Sequence, residues 1–467
     1  MHCRIVWVAL AATALLTQAH SAARAQTERV FFGNLHSHTK YSDGSGTPED
    51  AYTRARDVAH LDFLAITEHN HAQAESGASA DRKDGILIAT NPSLYKGPQP
   101  AALIPTAKRF TKDGTFVAIY GQEFSSISKG NHVNVFEVPE VIDVANGEFG
   151  DLIDTWLPAH LDSTGQIAIL EFNHPKQCHQ KCEDTAYGAD DFDSTAQWIA
   201  KMDAHARLIE ILNGPAMSKT NGQTSDESME SDYLHYLNLG FHLAPTADQD
   251  NHYKTWGTVT DARTAVIANA LTKENILAAL RARHVYATAD KNLRIVFHVN
   301  GHLMGDRIPP PPVGSELTIQ YSITDDDEPN ATYRIEIFSD TIGGATEADA
   351  IDTITTQGNT PAGATRSIED VKYTGGAQYV FFKVSQSDEH AGDDHAWTAP
   401  IWFDGDGAAP AAPVTEADTS TLVASKNSSV FHVSLECKDA QRIKPENLIT
   451  GPAARLGRNQ HTGCPRK

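Results

Sequence analysis

Two apolar runs near the start of this chain end in histidine and carboxylate side chains. The first run reads V-F-F-G-N-L and leads into His36 and His38; the second reads F-L-A-I-T and leads into Glu68 and His69. Residues i and i+2 of an extended segment point the same way, so His36 and His38 can reach one point in space. Two strands that end in such groups indicate ligands gathered at the carboxyl edge of a parallel sheet. We interpret this pattern as a metal site.

Later apolar runs repeat the pattern. Strands are predicted at 116–120, 167–170, 208–211 and 241–244, and each is followed by polar or metal-competent side chains. Those side chains are Glu123 and His132, then Asn173 and His174, then Asn213, and finally Asp248, Asp250 and His252. Helical patterns alternate with the strands, one beginning at Thr47-Pro48 and another spanning 272–283. The alternation predicts an α/β, barrel-like domain over residues 26–290.

The candidate ligands combine imidazole and carboxylate groups, which suit Zn, Mn or Fe. They are His36, His38, Asp43, His69, Glu123, His132, His174, Asp250 and His252. Nine ligands are too many for one ion and fit two or three, with Glu123 bridging ions about 3.5–4 Å apart. A cluster of this kind predicts hydrolysis by metal-bound hydroxide, and we take Glu123, Asp250 and His252 as its catalytic members. Lys254 and Arg263 are weaker candidates for binding an anionic substrate.

The net charge of the chain and its first 25 residues limit the kinds of function to be considered. The net charge of −22, with no basic block, argues against a stable nucleic-acid partner. Residues 1–25 have a short positive start, an apolar core from Ile5 to Leu16, and small residues up to a predicted cleavage after Ala25. We therefore expect a signal peptide and a periplasmic or secreted protein. No run is long enough to predict a membrane span.

The C-terminal part of the chain changes character. Apolar residues alternate with polar ones over 291–404, which predicts a small antiparallel β-sandwich. An Ala/Pro-rich linker follows at 405–424, and then a short module at 425–467. A module this small needs a staple: either a structural Zn bound by His432, Cys437, His461 and Cys464, or a Cys437–Cys464 disulfide. A local Cys178–Cys182 disulfide is also expected in an oxidising compartment.

The motifs together resemble a known family. N-L-H-S-H-T, Y-S-D-G, A-I-T-E-H, G-Q-E, N-H-P and D-Q-D-N-H stand in the order found in the PHP (polymerase and histidinol phosphatase) family, over about residues 30–290. The resemblance implies a distorted (β/α)7 barrel whose two- or three-metal centre, built from the nine ligands above, hydrolyses phosphoesters. Insertions at about 70–105 and 178–193 depart from the family pattern. The short C-terminal module resembles zinc modules found in nucleases.

Three functions remain open at this stage. The first is an exported PHP-like phosphoesterase acting on a small-molecule, phosphorylated ester. The second keeps the metals but cleaves a carbamate or carboxylic ester, because the chain also resembles the exported metallohydrolases that act on aryl carbamates. The third is a non-catalytic binding protein in which the sandwich and the terminal module carry the function.

Overall fold

The computed structural model describes nine stretches of the chain. They are residues 28–70, 88, 90–124, 132–145, 147–175, 196–223, 227–342, 350–387 and 393–405. Residue 444 and the backbone of four short strands between 423 and 460 are described as well. The predicted signal peptide lies outside the described residues. Among the helices in these stretches, none is both long and apolar enough to cross a membrane.

The strands that lead to the candidate ligands come first along the chain. They are β1 (Arg29–Asn34), β2 (Phe63–His69), β3 (Val117–Phe124), β4 (Val133–Phe136), β5 (Leu170–Phe172), β6 (Ala206–Asn213), β7 (Glu227–Ser228), β8 (Ala244–Asp248), β9 (Arg263–Ala268) and β10 (Val285–Thr288). Several run further than their apolar stretch. His69 closes β2 and Glu123 lies inside β3, so both ligands are strand residues that the sheet holds in place.

Helices connect and cover these strands. They are α1 (Pro48–Asp57), α2 (Ser93–Lys96), α3 (Leu103–Phe110), α4 (Phe149–Asp151), α5 (Leu157–Ala159), α6 (Ala196–Asp203), α7 (Glu230–Leu239) and α8 (Lys273–Ala282), with a π-helical turn at Leu152–Trp156. The predicted start of α1 is confirmed: Thr47 accepts a hydrogen bond from the amide of Asp50, whose carboxylate accepts one from the amide of Thr47. The predicted helix at 272–283 is confirmed as α8.

The C-terminal strands pair antiparallel. They are β11 (Arg294–Val299), β12 (His302–Leu303), β13 (Ile319–Thr324), β14 (Thr332–Thr341), β15 (Ala350–Gln357), β16 (Arg366–Ile368), β17 (Gln378–Ser387), β18 (Asp393–Thr398) and β19 (Ile401–Trp402). One four-stranded sheet runs β12-β11-β13-β16. Phe297 of β11 stacks on Phe382 of β17 with ring centroids 4.2 Å apart, so this sheet packs against the β14–β17 strands.

One sheet of 15 strands runs through most of the described chain. Its order is β15-β14-β17-β18-β10-β9-β1-β2-β3-β4-β5-β6-β7, with β19 added to β17 and β8 to β6. The pairs β1–β2, β2–β3, β5–β6 and β6–β8 are parallel, whereas β3–β4, β4–β5, β1–β9, β9–β10 and β10–β18 are antiparallel. The sheet is therefore mixed, and it continues from the ligand-bearing strands into the C-terminal strands.

The predicted (β/α)7 barrel is wrong. To close a barrel, β8 would have to pair with the edge of β1 that faces away from β2. That edge is occupied by β9, which runs antiparallel to β1 over five residue pairs from Arg29↔Ala268 to Gly33↔Thr264. Within the described chain a single bridge between Ser37 and Asn251 links the segments that follow β1 and β8. The result is an open mixed sheet with few helices. The division of the chain into domains at residues 290 and 404 stays a prediction.

Four further strands form a small separate sheet near the end of the chain. They are β20 (Val423–Ser425), β21 (Val430–His432), β22 (Leu448–Thr450) and β23 (Asn459–Gln460), in the order β22-β20-β21-β23. The backbone of His432 lies in β21, while Cys437, His461 and Cys464 fall outside the described residues. Cys178 and Cys182 do so too, so the zinc and disulfide alternatives stay predictions.

Candidate metal centre

All nine candidate ligands lie at one edge of the large sheet. His36 and His38 follow β1, His69 ends β2, Glu123 lies near the end of β3, His174 follows β5, and Asp250 and His252 follow β8. His132 directly precedes β4, and β4 runs antiparallel to β3 and β5, so its start meets the ends of its neighbours. Strand direction thus explains how ligands separated by more than two hundred residues reach one place.

Glu123 stands at the centre of the cluster. Its carboxylate oxygens lie 2.6 Å from His132 Nδ1, 3.0 Å from His69 Nδ1, 3.1 Å from His38 Nε2, and 3.3 Å from both His36 Nε2 and His174 Nε2. The side chain is 1% exposed. One buried carboxylate therefore touches five imidazoles from four segments of the sequence, which is the geometry expected of a bridging ligand.

Two more carboxylates extend the cluster on either side. Asp250 Oδ1 lies 2.9 Å from His38 Nε2 and 3.2 Å from His36 Nε2. Asp43 Oδ1 lies 3.2 Å from His252 Nε2 and 3.7 Å from His69 Nε2. His69 thus directs one ring nitrogen to Glu123 and the other to Asp43.

Three sets of ligand atoms lie close enough together to hold an ion. The sets are His36, His38, Glu123 and Asp250; His69, Glu123 and His132; and His38, Asp43, His69 and His252, with the atoms of each set within 4.8 Å of one another. They overlap at Glu123, His38 and His69. The described residues could therefore bind neighbouring metal ions that share ligands.

Hydrogen bonds within the cluster are incomplete in a way that a cation would resolve. The Nε2 atoms of His36 and His38 face each other at 3.1 Å. Glu123 Oε2 and Asp250 Oδ1 are buried, and neither accepts a hydrogen bond of good geometry from the described residues. Buried polar atoms without partners are costly, so their convergence on facing imidazole nitrogens fits a site built for divalent ions.

The pKa values show how strongly the buried charges of the cluster act on one another. Burial lowers the pKa of His38, but the carboxylates of Asp250 and Glu123, 2.9 and 3.1 Å from its Nε2, raise it to about 10. Burial raises the pKa of Glu123, but the surrounding imidazoles, His132 foremost, hold it well below its usual range. Burial lowers the pKa of His69 to about 3. Metal ligands must be deprotonated, so ions and protons compete for this cluster.

A second set of polar side chains holds the ligands. Glu210 of β6 accepts a hydrogen bond from His36 Nδ1 at 2.8 Å, and Asn173 donates to Glu123 Oε1 at 2.9 Å. Glu68 accepts from the amide of Thr39 and from the hydroxyl of Ser42, which ties the loop between His38 and Asp43 to β2. These contacts set the orientation of the rings and carboxylates before any ion arrives.

Glu68 and Asp248 were noted after predicted strands without a role, and two further buried acids, Glu171 and Glu210, were not considered as part of the site. A signal for the last two was present. Glu171 and Glu210 interrupt the apolar runs that become β5 and β6, and a carboxylate inside a buried strand needs a partner. Glu171 accepts from Asn134 and Thr246, and Asp248 accepts from the amide of Leu35.

The two candidate substrate cations are placed differently. Lys254 is 62% exposed, and its Nζ lies 3.4 Å from Asp50. Arg263 is buried and donates to the backbone carbonyls of Gly257, Thr260 and Ala262, so its guanidinium holds the turn before β9. These contacts bring neither charge to the imidazole cluster, and a role in substrate binding stays a prediction for both.

Comparisons with known proteins add little to this geometry. No family model matches the chain, and no curated protein matches it. Among solved structures, the soluble domain of PmoD from Methylocystis sp. ATCC 49242 (Rockwell) is similar to 23% of this chain and 90% of its own, at 14% identity and a TM-score of 0.17. A TM-score this low carries no conclusion about fold or function.

Proposed function

We propose that this protein is an exported, metal-dependent hydrolase of phosphate esters that binds two or three divalent ions, Zn, Mn or Fe. One observation carries the proposal: a buried carboxylate, Glu123, lies within 3.3 Å of five imidazoles, and Asp43 and Asp250 flank it. Ligand sets that overlap in this way suit adjacent ions acting on one substrate. The PHP-like order of the motifs supports the same chemistry.

Charge favours an anionic substrate. Three carboxylates, those of Asp43, Glu123 and Asp250, contribute three negative charges to the ligand set. Glu210, hydrogen-bonded to His36, adds a fourth negative charge. Two divalent ions bring four positive charges and three bring six, so a centre loaded with three ions carries an excess of positive charge. A phosphate ester offsets that excess, whereas a neutral carbamate does not. This charge difference is the reason to prefer a phosphoesterase over a carbamate hydrolase.

The exposure of the candidate ligands indicates the side from which a substrate would approach. His36, His38 and Glu123 are 0–1% exposed and hold the inner face of the cluster. His69, His132 and Asp250 are 9–12% exposed, the most of the nine, so the substrate would approach on their side. Bound ions would supply an activated water and polarise the ester oxygen.

His252 is held in a fixed orientation beside the cluster. Its Nδ1 is hydrogen-bonded at 2.8 Å to the backbone carbonyl of Asp250, which fixes the ring, and its Nε2 faces Asp43. Asp250 itself adopts a left-handed backbone conformation, with φ at 47°. Such strain is held where a site needs an exact side-chain direction. We assign Glu123 to holding the ions together, and Asp250 and His252 to orienting the reacting groups.

The first test is metal content together with a substrate panel. We expect elemental analysis of the purified protein to find two or three divalent ions per chain. We also expect hydrolysis of an aryl phosphate mono- or diester that a chelator abolishes and added metal restores. His36→Ala and His38→Ala should each lower kcat/KM at least ~100-fold, because removing even a hydrogen-bond partner of a ligand costs about 10–100-fold. His298→Ala, outside the cluster, is the control.

The panel also separates the alternatives. Turnover of aryl carbamates with none of aryl phosphates would replace the phosphoesterase with a carbamate or carboxylic ester hydrolase. Tight metal binding with no turnover of any ester would favour a binding protein. A chain that takes up no metal after refolding with excess Zn²⁺, Mn²⁺ or Fe²⁺ would remove the proposed function altogether.

A further inference from the structure

We propose that Glu210 is a positioning residue that ties His36, a member of one ligand set, to His174, a candidate ligand that contacts Glu123 but lies in none of the three sets. The inference rests on the proposed metal centre, but it concerns this chain's own hydrogen bonds and can be tested without any turnover. Glu210 lies in β6, which contributes none of the nine candidate ligands. Its side chain is fully buried.

One oxygen of Glu210 fixes the ring of His36. Glu210 Oε1 lies 2.8 Å from His36 Nδ1. An ionised carboxylate can only accept, so His36 donates through Nδ1. The opposite nitrogen, Nε2, then faces Glu123 and Asp250 at 3.3 and 3.2 Å. A ring held by a carboxylate in this way presents its other nitrogen to a cation in a fixed direction.

The other oxygen of Glu210 holds the backbone at His174. Glu210 Oε2 accepts from the amide of His174 at 2.6 Å and from Asn213 Nδ2 at 2.8 Å. His174 has a φ of 29°, in the left-handed region that residues other than glycine rarely adopt. The hydrogen bond from its amide helps to keep this conformation, which points the imidazole at Glu123. One carboxylate thus sets the side chain of one ligand and the backbone of another.

The surroundings of Glu210 argue against a purely structural ion pair. Within the described part of the chain no Lys or Arg pairs with it. Burying a carboxylate without a cation destabilises the fold unless several donors satisfy it. The donors here are His36, His174 and Asn213, so two of its three contacts are to candidate ligands. This placement directs the negative charge of Glu210 toward the metal cluster.

Glu171 supplies a matched control. It lies in the neighbouring strand β5 and is equally buried. Its oxygens accept from Asn134 and Thr246, and neither residue is a candidate ligand. Burial, with the nearby charges of Asp248 and Glu210, raises the pKa of Glu171 well above its usual range. Glu171→Gln therefore removes a buried acid of the same layer without touching His36 or His174.

The test measures metal affinity of the apo-proteins with Zn²⁺ in a competing-chelator titration. Both oxygens of Glu210 accept hydrogen bonds, but a glutamine side chain has only one acceptor oxygen. In Glu210→Gln the NH₂ group therefore faces at least one of the donors His36, His174 and Asn213, and that hydrogen bond is lost. Glu210→Asp keeps the charge but withdraws it from both ligands. We expect each variant to weaken Zn²⁺ binding about 10–100-fold, and Glu171→Gln to change it less than about twofold. The visible absorption of Co²⁺-loaded protein should shift in both Glu210 variants and not in Glu171→Gln.

The outcomes separate this inference from the proposed function. Wild-type affinity and an unchanged Co²⁺ spectrum in either Glu210 variant would overturn the positioning role. Should Glu210→Gln fail to fold, Glu210→Asp decides the question. A wild-type protein that binds Zn²⁺ but hydrolyses no ester removes the function, yet weakened binding in the Glu210 variants would still support the inference.

Discussion

Replacing Glu123 with glutamine should remove most of the metal from this protein. Two of the three ligand sets, the His36–His38–Asp250 set and the His69–His132 set, contain Glu123. Only the set of His38, Asp43, His69 and His252 does without it. Glu123→Gln should therefore reduce the metal content to one ion per chain or fewer. Asp43→Asn removes the third set alone and should lose no more than one ion.

Thermal unfolding gives the size of the effect. A ligand present at 100 times its Kd stabilises the folded state by about 2.7 kcal/mol. Unfolding entropy is about 2.1 cal/mol/K per residue, so for 467 residues it is about 1 kcal/mol/K. Each bound ion should then raise the Tm by about 3 °C, and two ions by about 5–6 °C. The shift is larger if only part of the chain unfolds cooperatively.

The assay is differential scanning calorimetry of each apo-protein with and without Zn²⁺ or Mn²⁺. We expect a Tm increase of about 5 °C or more in the wild type, and of about 3 °C or less in Glu123→Gln. Each variant is compared with its own apo form, which separates metal binding from any loss of intrinsic stability. Glu137→Gln is the control, because Glu137 is a buried carboxylate bound to Lys273 and Ser163 outside the cluster. A full wild-type shift in Glu123→Gln would refute the central role of Glu123.

Three further predictions concern the fold. Burial raises the pKa of Asp404, but His242 and Arg307 lower it to about 2. The ionised Asp404 carboxylate therefore stabilises the fold fully above about pH 4, and this stabilisation is lost as the pH falls toward 2. Asp404→Asn should make the Tm fall less steeply with decreasing pH in this range. Phe382→Ala should lower the free energy of unfolding by about 3–5 kcal/mol, measured by urea denaturation, and an unchanged midpoint would contradict the packing described. Thr47→Ala should lower it by about 1 kcal/mol through loss of the cap on α1.

Most residues of the candidate site could be predicted from the sequence, because the types of side chain that bind metals are few. His36, His38 and Asp43 stand close together, and the remaining ligands each follow or end an apolar run. His132 was included because it lies nine residues after Glu123 in the sequence. It precedes β4, and it reaches the other candidate ligands because β4 runs antiparallel to β3. The ligand set thus did not depend on knowing the direction of each strand.

Fold class did depend on that knowledge, and here the prediction failed. An apolar run indicates a strand but carries no information about parallel or antiparallel pairing. Within residues 26–290, four strands, β4, β7, β9 and β10, were not predicted, and β9 occupies the edge of β1 that a closed barrel needs. Glu210 was missed for a related reason, since its contacts to His36 and His174 come from strands distant in sequence. Pairing partners are set by tertiary packing, which no local pattern records.

The ladder between β10 and β18 has a mechanical consequence. Three residue pairs, from Tyr286↔Thr398 to Thr288↔Ala396, join the part of the sheet that carries the candidate ligands to the C-terminal strands through main-chain hydrogen bonds. Rotating the C-terminal strands against the rest of the sheet would break these hydrogen bonds, so we expect no hinge at this junction. The C-terminal strands instead brace the sheet that positions the candidate ligands.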